Sequence, residues 1–445
     1  MAASPFERAE AYLLGTISES ASPRTSYKLD RMRRLLKELG DPHLAYPVVH
    51  VGGTSGKGST CTMIAAVLQA GGKRTGLHTK PHLHSMTERA RVDSFAIDPD
   101  ALAGLLDAMM PAIERTARAG LGTATYYETL LALAFMHFAR ERVDVAVIEV
   151  GLGGRLDGTN LVAPEVTALT SVGYDHTDVL GETLDAIARE KAGIAKRGVP
   201  LVVADVPSAA FTAIRRVAES AGAPIVCVRD HARLESVLVE PDHQSFVVAT
   251  GAARYRLQTP VLGVFQRTNA ATAIVALEQL RGGLAVGPPV IEAAFSQLVI
   301  PGRMEAFTGA PTVVFDIAHN AEKAEHLVAS LRESFPGKRM QYVVAIGESK
   351  DARRILATLA SIANAFTLTS FHVSGRRAAE PAHLEAIARS LGFAATTVEE
   401  PVAALERARR RALAGDVVVV TGSTFVVAAL RDWWIDRVGA AAGSC

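Results

Sequence analysis

A glycine-rich loop between an apolar strand and a helix constrains the fold of this chain most. The apolar run 48–51 leads into GTSGKGS at 53–59, which opens directly into a helical pattern. Backbone amides and a helix N-terminus converge at such a loop and favour phosphate binding. The candidate nucleotide-binding residues are therefore Gly53, Thr54, Gly56, Lys57, Gly58 and Ser59.

The spacing of the loop differs from the strict P-loop pattern, because a glycine intervenes between Lys57 and Ser59. Lys57 can still neutralise charge between β- and γ-phosphates, and the Ser59 hydroxyl can bind magnesium. A glycine turn without a ligand is the alternative interpretation. The strand and helix on either side of the loop disfavour it.

Short apolar runs alternate with longer helical patterns, which predicts a doubly wound parallel sheet in an α/β fold. Strands are expected at 48–51, 143–150 and 166–170, and a helix over 59–70. Between Leu234 and Leu257 the residues alternate, which predicts a small antiparallel excursion before a helix near 269–280.

The 445-residue length favours two domains. A break at Ile300-Pro301-Gly302 precedes a second βα series that begins with a strand at 313–315 and continues to one at 417–420. We expect a P-loop-type ATP-binding domain at 1–298 and a smaller, Rossmann-like C-terminal domain at 303–445. Residues 439–444 are expected to form a frayed tail.

Charge and composition narrow the partners of this chain. The 47 basic and 46 acidic residues give a net charge of +1, so no basic excess indicates nucleic acid or an anionic membrane. The three scattered cysteines fit neither a disulfide framework nor a paired metal site. Residues 1–20 lack the pattern of a signal peptide, and no apolar run has the length of a membrane span. A cytoplasmic enzyme is expected.

Several further strings occur in an order that resembles the folylpolyglutamate and dihydrofolate synthases of the Mur ligase superfamily. The resemblance covers nearly the whole chain. It is carried by the loop above and by Pro81-His82-Leu83, Glu88-Arg89, Tyr127-Glu128, the run EVGLGGRLD at 149–157, Asp175-His176, the run EKAGI at 190–194, Asn269-Ala270-Ala271, Pro301-Gly302-Arg303 and the run DIAHN at 316–320.

This resemblance implies an ATP-dependent ligase that joins L-glutamate to the carboxylate of a folate or dihydropteroate. ATP would phosphorylate the carboxylate to an acyl phosphate, which the glutamate amine then attacks. Two alternatives remain open: a related ligase that joins an amino acid to another carboxylate, and an ATP-binding regulatory protein that has lost catalysis. The resemblance also implies a monomer.

The resemblance assigns magnesium, most simply two ions, to Ser59, Glu149, His176 and Lys191. Glu149 ends a buried apolar run, where a carboxylate needs a charged partner. Lys191 is carbamylated in the family, which turns an ammonium into a carboxylate-like ligand. Taken alone, His176 reads more simply as a structural histidine, and Lys191 as a solvated helix lysine.

The remaining roles also follow from the resemblance. Catalytic roles fall to Lys57, Lys191 and His319, and ATP contacts in addition to the loop fall to Asn269, Arg303 and Asp316. Ser423 would bind glutamate with His319, or would only cap the last helix. The other substrate-binding candidates are His82, Arg89, Thr125, Tyr126, Tyr127, Glu128, Leu156, Asp157 and Gly158. Tyr126 and Tyr127 would stack on a flat ring or simply pack in the core.

Three residues depart from the pattern of the family. Lys80 stands where a magnesium-binding serine is usual, Phe265 where a histidine is usual, and Ser55 where the loop usually has an asparagine. A cation at position 80 repels a metal ion, so contact with phosphate or with the substrate carboxylate is the alternative for Lys80. The tetrahedral oxyanion that forms when the glutamate amine attacks needs positive charge, for which magnesium, Lys57 and His319 are the candidates.

Overall fold

The computed structural model describes residues 3–17, 29–373 and 376–442. The chain divides into two compact units. The first comprises 1–235, 247–256 and 268–295, and the second comprises 236–246, 257–267 and 296–445. The division expected from sequence, 1–298 and 303–445, stays a prediction, and it did not separate the two short segments that the second unit takes from before residue 296.

The first part of the chain alternates strands and helices. Its strands are β1 (Val48–Gly52), β2 (Thr75–His78), β3 (Arg91–Val92), β4 (Phe95–Ala96), β5 (Val145–Glu149), β6 (Pro164–Leu169), β7 (Leu201–Val203) and β8 (Ile225–Cys227). Its helices are α1 (Pro5–Gly15), α2 (Leu29–Glu38), α3 (Lys57–Ala70), α4 (Pro99–Thr116), α5 (Tyr126–Arg140), α6 (Thr177–Leu180), α7 (Leu184–Ala192), α8 (Ser208–Ala221) and α9 (Val228–His231).

These strands form one eight-stranded sheet in the order β4-β3-β2-β5-β1-β6-β7-β8. From β2 to β8 all neighbours are parallel, and β3 and β4 add an antiparallel edge. Every residue of β1 and β5 is buried, so both faces of the sheet centre are covered. The carboxyl ends of β2, β5, β1 and β6 therefore lie side by side along one edge.

A three-stranded sheet of order β11-β10-β9 follows, made of β9 (Ala232–Val239), β10 (Gln244–Thr250) and β11 (Arg254–Thr259). It corresponds to the excursion that the alternating pattern predicts. Two helices come next, α10 (Val264–Gln279) and α11 (Pro288–Ser296). Helix α10 begins five residues before the predicted start at Asn269.

The last part of the chain forms a six-stranded sheet in the order β12-β13-β17-β14-β15-β16. Only the pair β12–β13 is antiparallel. The strands are β12 (Glu305–Phe307), β13 (Thr312–Phe315), β14 (Met340–Val344), β15 (Ala363–Leu368), β16 (Ala395–Thr397) and β17 (Val417–Thr421). The helices are α12 (Ala321–Ser334), α13 (Ala352–Ala360), α14 (Pro381–Ser390), α15 (Pro401–Arg411) and α16 (Thr424–Ala442).

Two predictions concern the ends and the surface of the chain. Helix α16 continues to Ala442, so the expected frayed tail at 439–444 is mostly helical, and 443–444 lie outside the described residues. In the described ranges no helix combines the length and the apolar character needed to cross a membrane.

Candidate active site

The phosphate loop follows β1 and leads into α3 without an intervening residue after Gly56. Gly53 has φ of +140° and Gly56 has φ of +84°, conformations that side chains rarely adopt. A Cβ at Gly53 would overlap Thr170 Oγ1, and one at Gly56 would overlap Asn269 Oδ1. The glycines are therefore required by the tight path of the loop, which leaves the N-terminus of α3 pointing at its concave side.

Two residues after β6 hold this loop, and the sequence did not single them out. Thr170 Oγ1 donates to the carbonyl of Ser55 at 2.6 Å. The Ser55 amide donates to Ser171 Oγ at 2.8 Å, and the Thr54 amide donates to the Ser171 carbonyl at 2.9 Å. Because β6 neighbours β1, this brace shapes the loop in the free protein.

Two lysines share one carbonyl of the loop. Lys57 Nζ donates to the Gly53 carbonyl at 2.9 Å and to the Thr54 carbonyl at 3.0 Å. Lys191 is buried, and its Nζ donates to the same Gly53 carbonyl at 3.0 Å. The structure thus brings together Lys57 and Lys191, which are 134 positions apart in the chain and for which catalytic roles were predicted.

Glu149 lies against the start of α3. A Cβ at Gly58 would stand 3.2 Å from Glu149 Oε2, and both Ser59 and Glu149 are buried. Serine hydroxyl and carboxylate oxygens are hard ligands of the kind Mg²⁺ prefers, with phosphate and water completing its shell. This donor set fits magnesium. Within the described residues, no cluster of three or more His, Cys, Asp or Glu would hold a metal by itself.

His176 lies near this site, and its side chain is only partly buried. Its side chain is 53% exposed, and its Nε2 lies 3.8 Å from Asp175 Oδ1. Burial of its ring lowers its pKa, and nearby Lys80 and Lys191 lower it further while Asp175 raises it. His176 is therefore within electrostatic reach of Lys80 and Lys191, and its role as a metal ligand stays a prediction.

Asp157 organises the loop that follows β5. Its Oδ1 accepts hydrogen bonds from Tyr127 OH at 3.0 Å and from both the amide and the hydroxyl of Thr159, at 3.0 and 2.6 Å. Its Oδ2 accepts from the Leu152 amide at 2.7 Å. Burial and the Asp157 charge raise the pKa of Tyr127 well above its usual value. Four donors converge on one buried carboxylate, so Asp157 has a structural role whatever it binds.

Thr125 and Glu128 form the capping box of α5. The Thr125 hydroxyl accepts from the Glu128 amide at 3.3 Å, and the Thr125 amide donates to Glu128 Oε2 at 2.9 Å. Arg31 Nε also donates to Glu128 Oε2, at 2.7 Å. Both residues are thus engaged in holding the helix N-terminus, and their predicted contact with substrate would come in addition to that.

Arg89 links the other predicted substrate residues. Its Nε donates to His82 Nδ1 at 3.0 Å, and its guanidinium lies 5.4 Å from the centre of the Tyr126 ring. The segment carrying His82 is held by Glu88, whose carboxylate accepts from the amides of 83, 84 and 85. Those hydrogen bonds, together with Arg91, lower the pKa of Glu88 against the effect of burial, which is the largest single influence and raises it.

Leu156 and Gly158 flank Asp157. Leu156 is half-buried, and a Cβ at Gly158 would stand 3.0 Å from Leu131 Cδ2 of α5. Gly158 is thus required for close packing of this loop on the helix. The structure therefore places Tyr127, Leu156, Asp157 and Gly158 in one region, next to the carboxyl end of β5.

In the second unit, Asp316 fixes the path of the chain around Arg303. Its Oδ2 accepts from the Met304 amide at 2.9 Å, and its Oδ1 accepts from the Ala318 amide at 2.9 Å. Burial raises the pKa of Asp316, while Arg303 and these two hydrogen bonds lower it. Arg303 and Asp316, two of the residues predicted to contact ATP, are therefore electrostatic neighbours.

Glu305 and Arg431 hold the same segment from its other side. Arg431 donates to both oxygens of Glu305, at 2.6 and 2.7 Å, and Glu305 Oε2 accepts from the Gly302 amide at 2.8 Å. Both side chains are mostly buried, at 12% and 15% exposure. Arg303 thus lies between two residues whose amides are fixed by carboxylates. Sequence reasoning missed this pair, since no local pattern joins positions 126 residues apart.

We predict that Arg431→Met destabilises the protein by about 3 kcal/mol, because it leaves a mostly buried carboxylate without its cation. The expected fall in melting temperature is about 5–10 °C, measured by scanning calorimetry. Arg437→Met on the same helix is the matched control, since Arg437 is 59% exposed and lies 3.6 Å from Glu406. Equal melting temperatures for the two variants would contradict the prediction.

His319 follows β13 and is held by two partners. Its Nδ1 lies 2.9 Å from the Ile317 carbonyl and its Nε2 lies 3.0 Å from Lys323 Nζ. A neutral ring with a proton on Nδ1 satisfies both contacts. Burial, followed by the Lys323 charge, lowers the pKa of His319 to about 4. This shift favours a neutral His319 ring at neutral pH, with Lys323 as a neighbouring cation, and the positive charge suggested for His319 stays a prediction.

Ser423 precedes α16 and is buried. Its Oγ accepts a hydrogen bond from the Phe425 amide at 3.2 Å, which satisfies one of the free amides at the helix start. Of the two roles considered for Ser423, helix capping is thus present in the structure. Binding of glutamate stays a prediction.

Comparison with known proteins places this site in a family. The Mur ligase middle domain matches residues 51–277, and the Mur ligase glutamate ligase domain matches residues 302–424. The dihydrofolate synthase/folylpolyglutamate synthase of Bacillus subtilis is 30% identical over 430 residues, which cover 96% of this chain and 98% of that protein. The chain belongs to the folylpolyglutamate synthase/dihydrofolate synthase family.

Other members of this synthase family agree in sequence and fold. The Escherichia coli dihydrofolate synthase/folylpolyglutamate synthase is 33% identical over 90% of this chain and 89% of its own length. The structure of E. coli FolC in complex with DHPP and ADP matches with a TM-score of 0.85 and 28% identity, covering 98% of this chain and 99% of that one. The Mycobacterium tuberculosis folylpolyglutamate synthase complexed with ADP matches with a TM-score of 0.86 and 28% identity, covering 96% and 98%.

The family places the observed clusters in context. The phosphate loop, its brace at Thr170 and Ser171, and the Glu149 carboxylate all fall within the middle domain. Arg303, Asp316, His319 and Ser423 all fall within the glutamate ligase domain. Asn269 borders Gly56 of the phosphate loop, so its side chain supports the loop, and its predicted contact with adenine remains untested.

Proposed function

We propose that this protein is an ATP-dependent ligase that adds L-glutamate to the carboxylate of a folate or dihydropteroate through an acyl phosphate. The observation that carries the proposal is the grouping of a glycine phosphate loop, Lys57, Lys191 and Glu149 at one end of the parallel sheet. In a member of this synthase family, that grouping supports phosphoryl transfer to a carboxylate.

ATP is proposed to bind with its phosphates on residues 53–59. The amides of the loop and the N-terminus of α3 face the phosphates, and Lys57 neutralises charge that develops during transfer. Structures of relatives with ADP, with DHPP and ADP, and with AMPPCP support this assignment. A carboxylate oxygen of the pterin substrate attacks the γ-phosphorus, and ADP leaves.

Magnesium is proposed to bind at Ser59 and Glu149, where it would neutralise phosphate charge. His176 and a carbamylated Lys191 are the further proposed ligands. The Lys191 ammonium now donates to the Gly53 carbonyl. A carbamate on Lys191 would lose the positive charge of the ammonium and would offer oxygen atoms to magnesium instead. Mass spectrometry of the intact protein would detect the added mass.

The pterin substrate is proposed to lie along the carboxyl ends of β2 and β5. Tyr127 and Asp157 form one side, and His82, Arg89 and Tyr126 form the other. In the second step, the glutamate amine attacks the carbonyl carbon of the acyl phosphate, phosphate leaves, and the nitrogen loses a proton. We place the reaction in the cytoplasm, in keeping with the free thiols of Cys61 and Cys227.

The test is ADP release by purified protein with magnesium-ATP and glutamate, comparing dihydropteroate, tetrahydrofolate and no pterin. The proposal expects release that requires glutamate together with one of the pterins. Protein that binds ATP but releases no ADP with either pterin would contradict the proposed substrate. Release with glutamate and a different carboxylate would instead identify a related ligase.

A further inference from the structure

Lys80 is a cation at the edge of the site whose ammonium has no hydrogen-bond or ion-pair partner among the described residues. It follows β2 by two residues, and its backbone amide donates to Glu149 Oε2 at 2.9 Å. This hydrogen bond places Lys80 beside the carboxyl end of β5. Its ammonium makes no hydrogen bond or ion pair with any described residue.

The charges around Lys80 come from both halves of the site. Lys57 of the phosphate loop and Arg89 of the substrate cluster repel its ammonium, while Glu149 and Asp157 attract it. Burial is the largest influence and, with Lys57, lowers the pKa of Lys80. Lys80 thus lies where the groups that face phosphate meet the groups that face the pterin substrate.

Neither nearby carboxylate serves as its counter-ion. Among the described residues, the four hydrogen bonds to the Asp157 carboxylate come from Tyr127, Leu152 and Thr159. Glu149 Oε2 accepts from the Lys80 amide rather than from its ammonium. A recessed cation without a partner is unfavourable unless an anion binds to it. The environment therefore favours an oxyanion as a ligand, since an adjacent negative charge also stabilises the charged lysine.

We infer that Lys80 binds the oxyanion at the reacting end of the site, and so determines how tightly the reacting substrate is held. The inference rests on the proposed function for the identity of the oxyanion. Two sources share this chemistry: the γ-phosphate of the nucleotide and the carboxylate of the pterin substrate. The γ-phosphate and the carboxylate approach each other when the phosphoryl group is transferred. Separate binding measurements with nucleotide and with pterin distinguish the two.

The variant Lys80→Met keeps the length of the side chain and removes its charge. Binding constants for ADP, AMPPCP and dihydropteroate, each with magnesium, would be measured by calorimetry. A charged hydrogen bond corresponds to at least about tenfold in affinity. If the γ-phosphate is the ligand, the affinity of Lys80→Met for AMPPCP falls by that factor, and its affinity for ADP equals that of wild type. If the carboxylate is the ligand, the affinity for dihydropteroate falls, and the affinities for both nucleotides equal those of wild type.

Two controls keep a structural role distinct from a binding role. Lys37→Met, an exposed lysine on α2, is expected to leave all three constants unchanged. Lys80→Arg keeps the charge and is expected to recover part of the lost affinity. A melting temperature lower than wild type for Lys80→Met, with all constants within twofold of wild type, would identify a structural lysine and overturn the inference.

Failure of the proposed function is a separate result. If wild-type protein releases no glutamate-dependent ADP with either pterin, the proposed substrate is wrong, and the comparison of AMPPCP with ADP still tests Lys80. If AMPPCP and dihydropteroate both bind Lys80→Met as they bind wild type, the inference about Lys80 is wrong even when the ligase activity is established.

Discussion

Replacing Lys57 with alanine is expected to lower kcat for glutamate-dependent ADP release by about 10³-fold or more. Phosphoryl transfer depends almost entirely on positioning and on neutralising charge, and Lys57 is the cation that the phosphate loop itself carries. Its Nζ lies against the Gly53 and Thr54 carbonyls, 2.9 and 3.0 Å away. Steady-state kinetics with saturating ATP, glutamate and pterin would measure the loss.

The loss must come from chemistry rather than from folding. Lys57 is itself only partly buried and makes two hydrogen bonds to loop carbonyls, so its removal should lower stability by about 1–3 kcal/mol, which leaves the protein folded. Lys37→Ala, on the exposed side of α2, provides the matched control and should keep wild-type kcat. Turnover by Lys57→Ala within a few fold of wild type would show that the phosphate loop is misassigned.

Replacing Asp157 with alanine is expected to destabilise the protein by about 3 kcal/mol or more and to abolish activity. The carboxylate accepts from the Tyr127 hydroxyl, the Leu152 amide and two groups of Thr159. Each buried donor left without a partner costs about 1–3 kcal/mol, reduced where water enters. Thermal unfolding should show a melting temperature lower by about 3–6 °C.

Asparagine at position 157 offers a graded test. The Oδ1 of asparagine can keep the three hydrogen bonds from Tyr127 and Thr159. Its side-chain NH₂ group faces the Leu152 amide, and because both are donors no hydrogen bond forms there. Asp157→Asn should therefore fall between wild type and Asp157→Ala in melting temperature. Asp107 is an exposed residue of α4, so the control variant Asp107→Ala should have the same melting temperature as the wild type. The same melting temperature for Asp157→Ala and Asp107→Ala would refute the role of Asp157 in organising the loop.

The parallel strands were predictable because buried strands read as continuous apolar runs. The runs at 48–51 and 143–150 correspond to β1 and β5, and 417–420 corresponds to β17. The hairpin of β3 and β4 was not predicted, since strands of two residues carry no periodic signal. The family and the phosphate loop also followed from the sequence, because glycine spacing is a local property.

The contacts that shape the site were harder to predict from the sequence. Tyr127 and Asp157 are 30 residues apart, and Arg31 and Glu128 are 97 apart, so only the folded chain brings them together. One signal was present and not used. Thr125 and Glu128 are spaced as a capping box, as are Ser85 and Glu88, and this pattern predicts a structural role. The lowered pKa of His319 depends on burial and on Lys323, neither of which can be read from the sequence alone.

The order β2-β5-β1-β6 has an evolutionary consequence. Neighbouring strands in the sheet lie far apart in the chain, so loops that are adjacent along this edge come from widely separated parts of the sequence and can change independently. The loop after β2 carries Lys80 and Arg89, whereas the loops after β1 and β6 form the proposed phosphate site and its brace. We expect mutations in the loop after β2 to change the contacts made by Lys80 and Arg89 while leaving the sequence of the other two loops unchanged. Descendants of such a protein can therefore acquire new substrates by changing one loop at a time.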